Sequence, residues 1–141
     1  MHHYSGHCLC KRVSVQLSLP KPIEHYSARN CDCDYCLAKG ASYLSDPASK
    51  LEIHSGVELK RESQGSGQAD FLVCPSCNIL IAVTVAVNNE LKGSVNANVL
   101  EDRSRLLAAK NVSPKHFSAQ QKLSRWKELW SIVTLDEACT T

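Results

Sequence analysis

The sequence predicts a small, mainly β fold of antiparallel strands with little helix, pinned by two zinc sites. Three observations predict it. Short apolar segments repeat with a two-residue period, turn residues separate them, and seven of the eight cysteines fall in tight clusters.

Residues 13–19 alternate Val13, Val15, Leu17 and Leu19 with Ser14, Gln16 and Ser18, the pattern of a half-buried strand. Pro20 and Pro22 punctuate its end, and residues 23–28 form a second strand leading into CDCDYC. Residues 51–54 alternate again, Ser55-Gly56 turns the chain, and residues 57–62 return. SQGSGQ at 63–68 is a flexible turn, after which residues 71–73 enter the CPSC knuckle. Residues 79–87 are nearly all apolar and rich in β-branched side chains, as in a central strand buried on both faces. Asn88-Asn89 is a turn and residues 91–97 a further strand. Residues 100–110 are expected as one short helix. Residues 120–129 are polar, with Trp126, Leu129 and Trp130 as an apolar edge, and residues 131–135 form a last strand.

A chain of 141 residues is the size of one domain, with 43% hydrophobic and 21% charged residues, ordinary for a globular protein. Aromatics are only 6%, so aliphatic side chains must carry most of the core. No apolar run approaches the roughly 20 residues of a membrane helix. MHHYSGHCLC has no apolar stretch of a secretory signal, so a cytoplasmic location is expected, with a nuclear one open. The formal charge is +2, and seven thiolates on two zinc ions would bring it to about −1. That balance gives no support to nucleic-acid binding. A homo-oligomer remains open.

The cysteines form Cys8-Leu-Cys10, Cys31-Asp-Cys33-Asp-Tyr-Cys36 and Cys74-Pro-Ser-Cys77, with Cys139 alone near the end. Zinc favours a tetrahedron of thiolates, and short C-x-x-C turns present two sulfurs to one ion. In CPSC, Pro75 fixes the turn, and Asn78 after it tolerates a left-handed backbone. Cys31, Cys33 and Cys36 lie within six residues and can face one metal. Cys8, Cys10, Cys74 and Cys77 then make a complete set of four. Closed four-cysteine sites are structural, whereas three protein ligands with an open position is the catalytic pattern. Spacing also permits Cys8, Cys10, Cys31 and Cys33 with Cys36, Cys74 and Cys77. The first partition leaves the tightest cluster whole. Two blander readings stand beside it: disulfides, or two structural sites with Cys139, His7, His25, His54 or His116 as eighth ligand. Cys139 lies in the terminal segment DEACTT and reads better as a free thiol.

At these residues the sequence resembles the glutathione-dependent formaldehyde-activating enzyme / centromere protein V family. The resemblance runs over about residues 4–103 and rests on SGHCLC, RNCDCDYCLAKGA, LEIHSG, FLVCPSCN and GSVNANVLED. Residues 1–141 are then one zinc-binding β-tent domain, with residues 104–141 an extension packing on it or partly flexible. The resemblance implies a structural zinc at Cys8, Cys10, Cys74 and Cys77. It implies a second zinc at Cys31, Cys33 and Cys36, where a small thiol ligand, glutathione, would bind. The implied reaction is reversible addition of glutathione to formaldehyde, a carbon–sulfur lyase reaction of the S-(hydroxymethyl)glutathione synthase type. The chain departs from the family in having Lys11 and Asn78 where glycine commonly follows the cysteine pairs, and Leu9 in place of a histidine.

Thiol addition needs a proton donor or positive group beside the ligands, and Lys39, Tyr35 and Arg29 are nearest in sequence. Asp32 and Asp34, alternating with the cysteines, are candidates for orienting the ligands. The rival reading is a zinc-stabilised binding module without catalysis, or a glutathione carrier. Lys110, Lys115, Lys122, Arg125 and Lys127 give the C-terminal part a basic tint, the usual character of a solvated face. A cavity at the Cys31/Cys33/Cys36 cluster, or an eighth ligand filling it, separates the readings.

Overall fold

The computed structural model describes residues 1–63, 67–113 and 116–138. Strand is the main secondary structure. The strands are β1 (His2–His7), β2 (Val13–Leu19), β3 (Ser27–Cys31), β4 (Ser42–Leu44), β5 (Lys50–Ser55) and β6 (Lys60–Glu62). They continue with β7 (Asp70–Val73), β8 (Leu80–Val87), β9 (Glu90–Asn96), β10 (Leu107–Val112) and β11 (Ser131–Glu137). Two α-helices join them, α1 (Asp34–Lys39) and α2 (Ala119–Leu129).

All eleven strands belong to one open sheet that branches at β9. One edge of β9 pairs with β8 through a hairpin whose turn, Asn88-Asn89, has both residues at positive φ, 52° and 66°. Two-residue hairpin turns of that kind require left-handed residues, which asparagine supplies. The other edge of β9 meets β11 at Gly93 and β4 at Val95 and Asn96. Most pairings are antiparallel, but β10 runs parallel to β3 and β11 parallel to β5. Both parallel strands come from the part of the chain after Leu106, so this segment is built into the sheet at two places.

The alternation in residues 13–19 appears in β2, with Val13, Val15, Leu17 and Leu19 almost fully buried. They pack with Leu51, Ile53, Ile81 and Leu100 in one core, which includes Cys8 and Cys74. A second core gathers Tyr43, Phe71, Val83, Val85 and Trp130 around Cys31 and Cys36. Strand β8 serves both, Ile81 facing the first and Val83 and Val85 the second, as its unbroken apolar run predicts. Each cysteine cluster is thus seated on its own core.

Three expected elements differ. Residues 23–28 are not one strand: a single 3-10 turn covers Ile23–His25 and β3 starts at Ser27. Pro22 precedes the turn, and the Ile23 N–H donates to Tyr4 Oη at 2.8 Å, which holds the buried Ile23 out of any ladder. Residues 57–62 do not return along β5, because both edges of β5 are occupied by β2 and β11. Their last three residues, β6, pair with β7 instead. Residues 100–110 are not a helix. Leu100 bridges to Gly6, a 3-10 turn covers Arg103–Arg105, and β10 completes the open edge of β3. Pairing to that edge overrides the helix propensity of the leucines and alanines.

Candidate metal centres and an adjoining cavity

Strand β1 delivers Cys8 and Cys10. Gly6 lets it pass close to the chain: a Cβ there would lie 2.2 Å from the Val99 carbonyl oxygen. The Cys8 N–H then bonds the Val13 carbonyl and Lys11 bonds back to Cys8, closing a tight loop with Lys11 at φ 65°. The turn between β7 and β8 has the same construction. Asn78 N–H bonds the Cys74 carbonyl at 2.8 Å, and Asn78 sits at φ 62°. The two loops meet. Cys8 and Cys10 sulfurs are 3.5 Å apart, Cys10 and Cys74 sulfurs 3.6 Å, and all four, with Cys77, lie within 4.8 Å of one another. A tetrahedral zinc with 2.3 Å bonds spaces its sulfurs by about 3.8 Å. The cluster could therefore hold a metal ion with little adjustment.

The sulfurs divide electrostatically. Burial pushes the Cys8 thiol up to about 11. Cys77 is held down to about 6: burial opposes this, but backbone hydrogen bonds from Cys10 and Ile79 outweigh it. Cys10 is lowered by a backbone hydrogen bond from Arg12. Backbone donors aimed at sulfur favour thiolates, the form a metal requires.

The second cluster is local. Cys31 ends β3, Cys33 caps α1 by accepting from the Cys36 N–H at 3.4 Å, and Cys36 lies in the first turn. Gly40 at φ 63° ends the helix, so α1 is barely longer than the turn needed to aim Cys33 and Cys36 together. The three sulfurs lie within 4.8 Å of one another and could hold a metal ion. Cys31 is held down to about 6, mainly by the hydrogen bond from Cys36. The same bond, with burial, pushes Cys36 strongly up. Tyr43 Oη lies 3.0 Å from Cys36 Sγ. Burial pushes Tyr43 far above its ordinary value, so the phenol keeps its proton and is a donor when Cys36 is a thiolate.

Among the described residues no fourth histidine, cysteine or carboxylate joins this cluster. Cys31 and Cys36 instead line a cavity of about 100 Å³, walled by Tyr43, Phe71, Val83, Trp126, Leu129 and Trp130, with Arg29 and Arg125. Arg29 donates to Ser45 Oγ at 2.6 Å and approaches Ser94 Oγ at 3.4 Å. Burial, and then the charge of Arg125, hold it below the ordinary arginine value.

Of the three groups expected beside the ligands, only Arg29 lines this cavity. Tyr35 donates to Glu62 Oε1 at 2.6 Å and packs on Phe71, while Lys39 pairs with the same Glu62 oxygen at 3.6 Å. Asp32 accepts from the Ser113 hydroxyl, and Asp34 is exposed at the start of α1. His7 bonds the Cys8 carbonyl and His54 faces Asp136. Among the described residues no histidine enters either cluster. Cys139 and Lys115 lie outside the described residues. Sequence reasoning did not find Tyr43, Arg125, Trp126 and Trp130 as site residues. One signal was available: both tryptophans of the chain fall four residues apart, Trp126 within α2 and Trp130 directly after its end.

Fold and site together define a β protein with two cysteine centres able to hold metal, one closed by four sulfurs and one open to a cavity. The chain belongs to the family described as glutathione-dependent formaldehyde-activating enzyme, whose model matches residues 3–116. The chain is also similar to a crystal structure of a Rhodobacter sphaeroides protein, with 28% identity and a TM-score of 0.55, over 69% of this chain and 87% of that one. No curated protein matches. Helix α2 and strand β11 lie beyond the matched residues. Among the described residues no helix is long and apolar enough to cross a membrane.

Proposed function

We propose that this chain binds a small thiol of the glutathione class at a zinc ion held by Cys31, Cys33 and Cys36, and adds it reversibly to formaldehyde or a related aldehyde. On this reading Cys8, Cys10, Cys74 and Cys77 hold a second, structural zinc. The observation that carries it is that Cys31 and Cys36 form part of a cavity wall, with no fourth ligand of the usual types among the described residues. Cys31, Cys33 and Cys36 would hold a zinc ion, which would offer an open position and favour the thiolate form of an incoming thiol.

The chain's own residues account for the rest. With Cys36 as a thiolate, Tyr43 Oη, 3.0 Å from its Sγ, would donate to it, fixing the orientation of that ligand and tempering its charge. Phe71, Val83 and Trp126 give the cavity an apolar lining beside the sulfurs. Arg29 brings positive charge into the space where the carbonyl oxygen gathers negative charge. As the carbon–sulfur bond forms, the carbonyl π pair moves to oxygen. That oxygen takes up the proton released by the thiol, so the hydroxymethyl thioether forms with no oxidant or reductant.

Titration calorimetry with glutathione and S-methylglutathione, run beside the Cys36→Ser variant, tests the reading. Glutathione should bind with proton release, and S-methylation should weaken binding severely because a thioether is a poor substitute for a thiolate. Exchange NMR with formaldehyde should then show adduct formation faster than in buffer. Equal binding of both compounds, or of neither, overturns the thiol site in favour of a non-catalytic zinc-stabilised module. Binding without acceleration overturns the catalysis and leaves a carrier.

A further inference from the structure

The cavity beside Cys31 and Cys36 holds more positive charge than a thiol and formaldehyde need. Arg29 enters it from β3 and Arg125 from α2. The surrounding wall is aromatic and aliphatic. Among the described residues neither guanidinium has a carboxylate partner, whereas Arg61 pairs with Glu137, and Arg105 with Glu24 and Asp102. Arg29 is held by serine hydroxyls and Arg125 lies over the Phe117 ring, 4.9 Å from its centre. Among the described residues neither is neutralised by an ion pair. Two like charges brought together in an apolar cavity repel, and an anion between them relieves that repulsion. Guanidinium forks match a carboxylate in shape as well as charge.

We infer that Arg29 and Arg125 form a carboxylate clamp, so that the thiol taken by this centre places a carboxylate in the cavity beside the reacting sulfur. About 100 Å³ has room for several water-sized groups, enough for the carboxylate arm of such a thiol. Arg125 and Trp126 lie on α2, beyond the residues matched by the family model, so the family match does not account for them. The inference rests on the reading of the Cys31/Cys33/Cys36 centre as a thiol site, and the experiment separates the two.

Trp126 and Trp130 stack in the cavity wall with ring centres 4.8 Å apart, so intrinsic fluorescence reports occupancy. The protein as purified is titrated with 3-mercaptopropionate, with the neutral thiol 2-mercaptoethanol, and with the thiol-free propionate. The acid thiol should bind at least about tenfold tighter than the neutral one, in line with the strength of charge-assisted hydrogen bonds. Arg125→Gln should abolish most of that preference and leave 2-mercaptoethanol unaffected, while Arg125→Lys should restore part of it. Equal affinity for the acid and neutral thiols, or a preference that survives Arg125→Gln, overturns the clamp and leaves the thiol site standing. Arg125-dependent binding of propionate with no binding of 2-mercaptoethanol supports the clamp and removes the thiol site.

Discussion

Lys11 and Asn78 share one backbone conformation, φ 65° and 62°, each directly after the second cysteine of a pair feeding the four-sulfur cluster. The geometry makes both of them positions suited to glycine: the chain must turn left-handed to present two sulfurs to one point. Asparagine tolerates that region, and Asn78 Oδ1 also accepts from Lys60 Nζ at 3.1 Å. Lysine has no such compensation. A left-handed non-glycine residue costs roughly 1–2 kcal/mol, and glycine gives back roughly 0.5–1 kcal/mol through its freer unfolded chain. Lys11→Gly should therefore stabilise the protein by about 0.5–1 kcal/mol, and Asn78→Gly should change little. Urea denaturation of chelator-free protein measures both, and a destabilised Lys11→Gly would refute the strain argument.

The two cysteine clusters differ in what they tie together. Cys8 and Cys10 join the N-terminal strand to the distant turn between β7 and β8, whereas Cys31, Cys33 and Cys36 come from one segment. On the zinc reading, elemental analysis should find two ions per chain. Structural zinc in small domains supplies folding free energy on the order of 10 kcal/mol. Cys10→Ser should leave an unfolded or aggregating protein, and Cys36→Ser a folded one with a single tight zinc. Equal losses of melting temperature in the two variants would erase the distinction.

What could be read ahead of the structure followed from local signals. The period-two alternation of β2 and the unbroken apolar run of β8 report burial on one face and on two, and cysteine spacing reports which sulfurs can meet. The pairing of β11 parallel to β5, and of β10 parallel to β3, has no local signature, because it depends on which sheet edges other strands leave open. That is why residues 100–110, with a composition suited to helix, form a strand. The brevity of α1 hid it within the cysteine cluster, although Gly40 marks its end. Arg125 and Trp126 reach the cavity only because α2 folds back over the second core, so their place in the site was legible only in three dimensions.

Glu62 gives the open centre a dependence on acid that can be isolated. Its carboxylate accepts from Tyr35 Oη at 2.6 Å and pairs with Lys39 Nζ, both on α1, the helix that carries Cys36. The Tyr35 hydrogen bond, then Lys60 and Lys39, hold Glu62 below its ordinary value of 4.5, against an opposing contribution from burial. A carboxylate depressed in the folded state contributes stability that is present above the unfolded value and lost as pH falls through the folded one. Acid also protonates the cysteines, but that loss is common to wild type and Glu62→Gln and cancels in their difference. The stability difference between the two should therefore be largest above about pH 4.5 and shrink as pH falls further. A glutamine still accepts from Tyr35, so a constant remainder is expected, and the pH-dependent part is the quantity that reports the charge. Urea midpoints collected at intervals from pH 7 to acid measure it. A difference that stays flat across that range would show that the Glu62 charge does nothing to hold α1.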